Sequence, residues 1–280
     1  MAETQKPKPG LDFATIGGVV LALAGILGGL TLEGGKLRDI AQFTAALIVL
    51  GGTCGAVFIS TPLSTVIGAL VRLRSVVFEQ SQPPETLIEE IIEYAVKARK
   101  NGIVSLEMEA ADIANPFLKK ALTLAIDGTD LEELRQMMDL QMDLERRRAQ
   151  SEVKVFESGG GYAPTIGIIG AVLGLIQVMK NLANIDEVGH GIAVAFVATV
   201  YGVGLANIFL LPAAAKLKAR IAQDMEIKEL ILQGVISIVE GLNPKLIRSK
   251  LEAFIATAPP RVNKKPAQEA APAAEPAIQT

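Results

Sequence analysis

Gly160-Gly161-Tyr162-Ala163-Pro164-Thr165-Ile166-Gly167-Ile168-Ile169-Gly170-Ala171-Val172-Leu173-Gly174-Leu175-Ile176 decides the fold, because it contains no Asp, Glu, Lys or Arg. With its flanks the run extends from Gly159 to Met179, about 21 residues, which at roughly 1.5 Å per residue crosses a hydrocarbon core of about 30 Å. Working outward, Gly191 to Leu211 is a second run of the same kind, joined to the first by the short polar loop Lys180 to His190. Upstream, Phe13 to Thr31 is uncharged over about 19 residues, and Ala41 to Val71 over about 31, with Pro62 inside it. Pro62 predicts an end or kink near Ser60, the remainder continuing beyond the membrane. Lys6 and Lys8 ahead of Ala22-Leu23-Ala24 have the outline of a signal peptide. The apolar run continues to Leu30, however, past the roughly 7–15 residues of a signal core, so it reads as an uncleaved span.

Composition agrees with four spans. Half of the 280 residues are hydrophobic and only 20% are charged, and mean hydropathy is +0.39, more apolar material than one water-soluble core needs. Charge is segregated into the stretch between the second and third spans. The formal net charge of −3 and the absence of a basic patch interleaved with aromatics argue against nucleic-acid binding. The single Cys54 excludes a disulfide framework.

The predicted architecture is an all-α membrane protein with a large cytoplasmic helical domain between spans two and three. Its parts are a cytoplasmic N-terminus (1–12), spans one and two (13–71), a helical domain (72–158), spans three and four (159–212), an amphipathic helical tail (213–257) and a disordered Pro/Ala-rich end (258–280). Orientation follows from basic residues beside the spans. Arg72, Arg74, Arg146, Arg147, Arg148, Lys154, Lys216, Lys218 and Arg220 stand on one side, against Lys36, Arg38 and Lys180 on the other. Both termini and the large domain are therefore expected in the cytoplasm. Within that domain Thr86-x-x-Glu89 and Thr129-x-x-Glu132 read as capping boxes that open helices. Asn101-Gly102 and Asn115-Pro116 read as turns that end them. Leu131, Leu134, Met138 and Met142 form one buried stripe. Small residues in all four spans, Gly25/Gly29, Gly51/Gly55, Gly170/Gly174 and Gly202 with Ala206, read as seams where helices approach closely.

No phosphate loop, zinc-ligand cluster or nucleophile elbow is present, and no cofactor is expected. Gly159-Gly160-Gly161 lacks a following Lys-Ser/Thr, and His190 has no companion ligand. Catalysis has no visible machinery, so an enzyme is not expected. The spans also lack an ionisable proton carrier in their cores. Their polar content is Thr165, Gln177, Thr199, Tyr201 and Asn207, with Pro164 read as opening span three and Pro212 as closing span four. For any one of these residues, ordinary helix packing is an adequate reading.

Taken together, Gly160 through Ile176 and Phe196-Val197-Ala198-Thr199-Val200-Tyr201-Gly202 through Pro212 resemble the A subunit of flagellar stators, the MotA/PomA family. Leu32-Glu33-Gly34-Gly35, Leu50-Gly51-Gly52-Thr53 leading to Pro62, and Arg99-Lys100-Asn101-Gly102-Ile103-Val104-Ser105-Leu106-Glu107 extend the likeness from about Leu11 to Ile255. The resemblance implies a bacterial inner-membrane complex in which a pentamer of A subunits surrounds two helices, one from each of two single-span B subunits. Ion flow would turn this ring against the switch complex of the flagellar rotor, with membrane lipid as the remaining partner. It maps the family's torque-linked Arg and Glu onto Arg99 and Glu107, and its two functional prolines onto Pro164 and Pro212. It also places Ala171 where sodium-driven relatives carry threonine, which favours H+ over Na+ as the transported ion, and puts Thr199 at the family's other threonine position, along the ion path.

Because these spans have no titratable carrier, the B subunit is expected to bring a membrane carboxylate lodged against Pro164, Ala171 and Thr199. Two alternatives stay open at this point. A TolQ/ExbB-like energiser shares the logic of spans three and four but has three spans rather than four, and a non-motor membrane scaffold needs only helix packing.

Overall fold

The computed structural model describes residues 10–79 and 83–256. The expected disordered end at 258–280 lies outside the described residues, as do Lys6 and Lys8. Four helices are long and apolar enough to cross a membrane: α1 (Phe13–Leu32), α3 (Phe43–Ser60), α8 (Leu131–Lys180) and the continuous rod from Ile185 to Val239. That rod comprises α9 (Ile185–Gly204), a π-helical segment (Leu205–Leu210) and α10 (Leu211–Val239). The remaining helices are α2 (Leu37–Ile40), α4 (Leu63–Val77), α5 (Pro84–Asn101), α6 (Glu107–Ala110), α7 (Pro116–Ile126) and α11 (Pro244–Ala256). The all-α expectation holds apart from one clasp: β1 (Gly10–Leu11) pairs antiparallel with β2 (Phe78–Glu79).

Several boundaries differ from those predicted. Pro62 does split the second apolar run, leaving α3 for the membrane and α4 beyond it. Spans three and four, by contrast, are not separate rods. Span three is the C-terminal part of a helix of 50 residues, and Pro164 lies inside that helix instead of opening it. Pro212 does not close span four either, because the helix runs on through it to Val239. A proline that leaves a carbonyl unpaired ends a helix readily in water, but in a packed bundle neighbouring elements hold the helix together. The tail is correspondingly two helices, α10 and α11, with a turn at Gly241, whose φ is +70°.

In the helical domain between spans two and three both predicted capping boxes are displaced. Pro83 caps α5 and places Thr86 within the first turn, and Asp130, not Thr129, caps α8 by accepting from the Glu132 amide. Asn115-Pro116 starts a helix where it was expected to end one, with the Asn115 side chain accepting from the Phe117 and Leu118 amides. Proline at the first helical position is favourable because its missing N–H would be unpaired there in any case. Leu134, Met138 and Met142 are buried as the stripe requires. They join Leu87, Ile91, Leu106, Leu118, Leu122, Leu230, Ile231, Leu232 and Ile247 in one core built from α5, the 3-10 turn Ile103–Leu106, α7, α8, α10 and α11. Of the small-residue seams, those of α8 and α9 are used. Cβ atoms added at Gly25, Gly29 or Gly51 would meet nothing within 4 Å, and the same is true at Gly55, so spans one and two do not pack through these residues within this chain.

The start of α1 is tied down on the side where the helical domain lies. Asp12 caps α1 by accepting from the Thr15 amide and forms ion pairs with Lys216 and with Arg220 at 2.8 Å. Burial pushes the Asp12 carboxyl up, but Lys216, the Thr15 amide and Arg220 together outweigh it and hold the group down at about 2. Nearby, the buried Glu152 is held by Arg72 and, at 3.4 Å, by Arg148, which fixes α4 against α8.

Candidate functional site

Helices α8 and α9 run antiparallel in backbone contact, and glycines make that approach possible. A Cβ at Gly202 would stand 2.4 Å from the Ala163 carbonyl oxygen, one at Gly167 2.9 Å from that of Ala198, and one at Gly174 2.8 Å from that of Gly191. The third helix, α3, packs along one flank of this seam. Gly52 lies under Ile166 and Gly170 under Ile48, while Ala45 and Val49 cluster with Val197 and Ala198. The Tyr201 hydroxyl, on that same flank, donates to the Ile40 carbonyl and accepts from the Gln42 amide at 3.4 Å.

The other flank carries the residues singled out in the sequence. Pro164 and Ala171 are one heptad apart and so share a face of α8, about a sixth of a turn from the Gly167–Gly174 seam. Helical phase puts Thr199 on the same side from α9, and the Cα of Thr199 lies 3.4 Å from the Cβ position of Gly167. All three are half-buried, bordered by Ile168 (58% exposed), Leu175 (51%) and Val203 (45%). No element of this chain covers the strip among the described residues. It is apolar apart from the Thr199 hydroxyl, which donates to the Ala195 carbonyl at 3.2 Å, and from the Gly160 carbonyl, which Pro164 has no N–H to satisfy. The strip can therefore receive another apolar helix, and it offers backbone and hydroxyl oxygens but no titratable group of its own.

Pro212 stands apart from that strip. Leu210 and Leu211 meet Gly159 and Gly160, about one turn from Pro164 towards the helical domain, and Pro212 itself is exposed. It follows the π-helical segment Leu205–Leu210, a feature the sequence reading missed. A proline without N–H favours such a wider turn, and widened turns inside helices often mark functional positions. Both prolines thus interrupt hydrogen bonding at the same end of the third and fourth spans, where the rods leave the membrane for the helical domain.

Arg99 and Glu107 lie at the opposite pole of that domain. Residues 131–158 of α8 alone reach roughly 40 Å from the third span, and the turn beginning α8 lies beside Arg99 across a cavity of about 650 Å³. Arg99 sits in the last turn of α5 and Glu107 opens α6, each favoured there by the helix dipole. Gly102 between them has φ +82° and ψ 157°, a backbone region open essentially to glycine. Both charged side chains are exposed, and among the described residues neither enters an ion pair. His190, exposed in the second turn of α9, approaches neither region.

Comparison with known proteins agrees with this layout. The family model for the MotA/TolQ/ExbB proton channel family matches residues 109–230, and that for the motility protein A N-terminal region matches 16–101. The chain is 35% identical to motility protein A of Bacillus subtilis over 88% of its own length and 91% of that protein's. It is 32% identical to chemotaxis protein PomA of Vibrio alginolyticus over 88% and 96%. The structure of C. jejuni MotAB superposes with a TM-score of 0.84 at 32% identity, covering 91% of this chain and all of that one.

Proposed function

The chain belongs to the MotA/TolQ/ExbB proton channel family, within its motility protein A branch, and on that premise we propose how its geometry does its work. It is the multi-pass A subunit of a flagellar motor stator and acts in an oligomeric complex with a B subunit. The observation that carries the mechanism is the uncovered strip of Pro164, Ala171 and Thr199 beside the α8–α9 seam. The single span of the B subunit lies against this strip, and its Asp or Glu supplies the titratable site that the chain lacks. Protonation removes the charge and lets that side chain pass the apolar strip, whereas deprotonation requires oxygen or water partners.

Pro164 and Pro212 weaken backbone bonding where spans three and four enter the helical domain, so a change in packing at the strip can tilt both rods. That tilt carries the distal corner with it, and Arg99 and Glu107 meet the rotor's switch complex there. Proton is the coupling ion. Ala171 offers a methyl where a threonine oxygen would be needed to replace water around Na+. The complex lies in the bacterial inner membrane with both termini cytoplasmic. The clasp of Asp12 to Lys216 and Arg220 supports this by putting the start of α1 on the side of the helical domain.

Co-expression with a candidate B subunit, detergent purification and mass measurement test the assembly. A complex of several A subunits with two B helices is expected, and a chain that purifies without the B subunit would refute it. Swimming speed that tracks external sodium at fixed pH would overturn the choice of ion.

A further inference from the structure

Helix α4 carries two apolar faces, and the chain itself covers only one. Val66, Ala69 and Val76 are buried in the core, whereas Leu63, Ile67, Leu70 and Val71 recur at helical spacing on the outside and are 63%, 54%, 60% and 72% exposed. The two ends of α4 fix where that outer face lies. Ser60 ends the second span just ahead of α4, and Phe78 just after it pairs with Leu11, one residue before the Asp12 cap of the first span. Both ends therefore stand at the membrane surface on the helical-domain side. Between them α4, about 22 Å long, runs along that surface as amphipathic interfacial helices do.

Beneath its outer stripe α4 shares a cleft of about 990 Å³ with α8 and α10, within the range of small-ligand sites. Arg72, Arg74, Arg148, Arg220 and Lys228 line it against the carboxylates Glu145, Glu152 and Asp224, an excess of two positive charges. Those carboxylates are all engaged. Lys228 holds Glu145 and, at 2.8 Å, Asp224, while Glu152 meets both Arg72 and, at 3.4 Å, Arg148. Arg220 pairs with Asp12 and donates to the Phe78 carbonyl at 3.3 Å, which sets this end of the cleft at the depth where the first span begins. Two guanidiniums remain available. Arg148 is the second cation on a carboxylate that Arg72 already neutralises, and its side chain is 82% exposed. Arg74 lies over the Phe78 ring at 5.5 Å and meets no carboxylate among the described residues.

We propose that this cleft holds the phosphate of an anionic phospholipid from the leaflet on the helical-domain side, with its acyl chains along Leu63, Ile67 and Val71 of α4. Arg74 and Arg148 donate to the phosphate oxygens, a geometry that suits the guanidinium fork, and basic pockets beside spans recognise lipid headgroups by this chemistry. A free phosphate would satisfy the arginines but leave the outer stripe of α4 uncovered, so lipid is the occupant. The bound lipid braces α4 against α8 and α10 where the rods leave the membrane. The site is independent of the transported ion and of the rotor contact.

The test offers the purified A–B complex either phosphatidylglycerol or phosphatidylcholine in detergent and weighs it by native mass spectrometry. Preferential retention of phosphatidylglycerol is expected, up to one per A subunit. Arg74→Gln with Arg148→Gln leaves the Arg72–Glu152 and Asp12 pairs in place, and it is expected to lower that retention on the order of tenfold, whereas Arg74→Lys with Arg148→Lys keeps most of it. B-subunit co-purification and an unchanged melting temperature show that the glutamine variant is folded; without them the preference of the wild-type complex decides alone. A photoactivatable amino acid at position 71 is expected to cross-link to phosphatidylglycerol in vesicles. Equal retention of the two lipids, undiminished retention by the folded glutamine variant, or cross-linking from position 71 to a second copy of the chain would overturn the site. Inorganic phosphate that raises the melting temperature as much as phosphatidylglycerol does would show a free-anion site and overturn the lipid. B-subunit co-purification is read in the same preparations, so failure of the lipid site is distinguished from failure of the stator assembly.

Discussion

Replacing Gly202 by alanine places a methyl group in the backbone contact that joins α8 to α9. The added Cβ would stand 2.4 Å from the Ala163 carbonyl oxygen and 3.1 Å from the Cα of Gly167, whereas ordinary contact begins at 3.4 Å. Both obstacles are main chain, so no rotamer change relieves them, and the helices must part by about 1 Å. Overpacking of this kind costs about 1–3 kcal/mol, from which alanine's better helix propensity returns up to about 1 kcal/mol. Gly17→Ala is the control, since a Cβ there meets nothing within 4 Å, and it should be neutral or stabilising. Thermal unfolding of the purified A–B complex is expected to rank Gly202→Ala below wild type and Gly17→Ala at or above it. Cells with Gly202→Ala should also swim more slowly at equal protein level, because the parted seam carries Pro164 and Thr199 with it. A Gly202→Ala complex that melts with the control and swims normally would refute the close seam and the strip built beside it.

Arg99→Glu and Glu107→Lys should each reduce swimming more than the neutral Arg99→Ala and Glu107→Gln, which lose an exposed contact of about 0–1 kcal/mol; motility-agar expansion measures the order, and untouched swimming in the double reversal would sink the assignment. For the N-terminal clasp, Asp12 has a folded pKa lowered to about 2 from 3.8, so its contribution is fully present above about pH 4 and is lost as pH falls from there towards 2. Protection of the first-turn amides of α1 against hydrogen exchange, taken relative to the intrinsic rate at each pH, should fall over that window, and Asp12→Asn should show reduced protection at every pH.

The membrane part of this fold was legible because one physical signal dominates it. Charges are too costly in lipid to be placed casually, so their absence marks each span, and Pro62 marks the one real break. The stripe of Leu134, Met138 and Met142 and the turn at Gly102 were legible for equally local reasons. What failed were start and stop signals carried over from water. Pro164 lies inside a continuous helix because its missing bond is tolerated within a packed bundle, Asp130 rather than Thr129 caps α8, and Asn115-Pro116 opens a helix. The positions of Pro164, Ala171 and Thr199 could be read from the resemblance, but their shared, uncovered flank could not, since it depends on which side of the seam α3 occupies. The Asp12 clasp joins residues some 200 positions apart and has no local signature. The π segment before Pro212 is another feature that only the packing reveals.

Proton flux in sealed vesicles tests the central claim most directly, that the chain shapes an ion path but holds no proton carrier of its own. Three preparations should be compared: the chain alone, the chain with its B subunit, and the pair with the B-subunit carboxylate changed to the corresponding carboxamide. Flux is expected only from the second. Robust flux from the chain alone, or undiminished flux from the carboxamide pair, would contradict the account and place the carrier elsewhere in the complex.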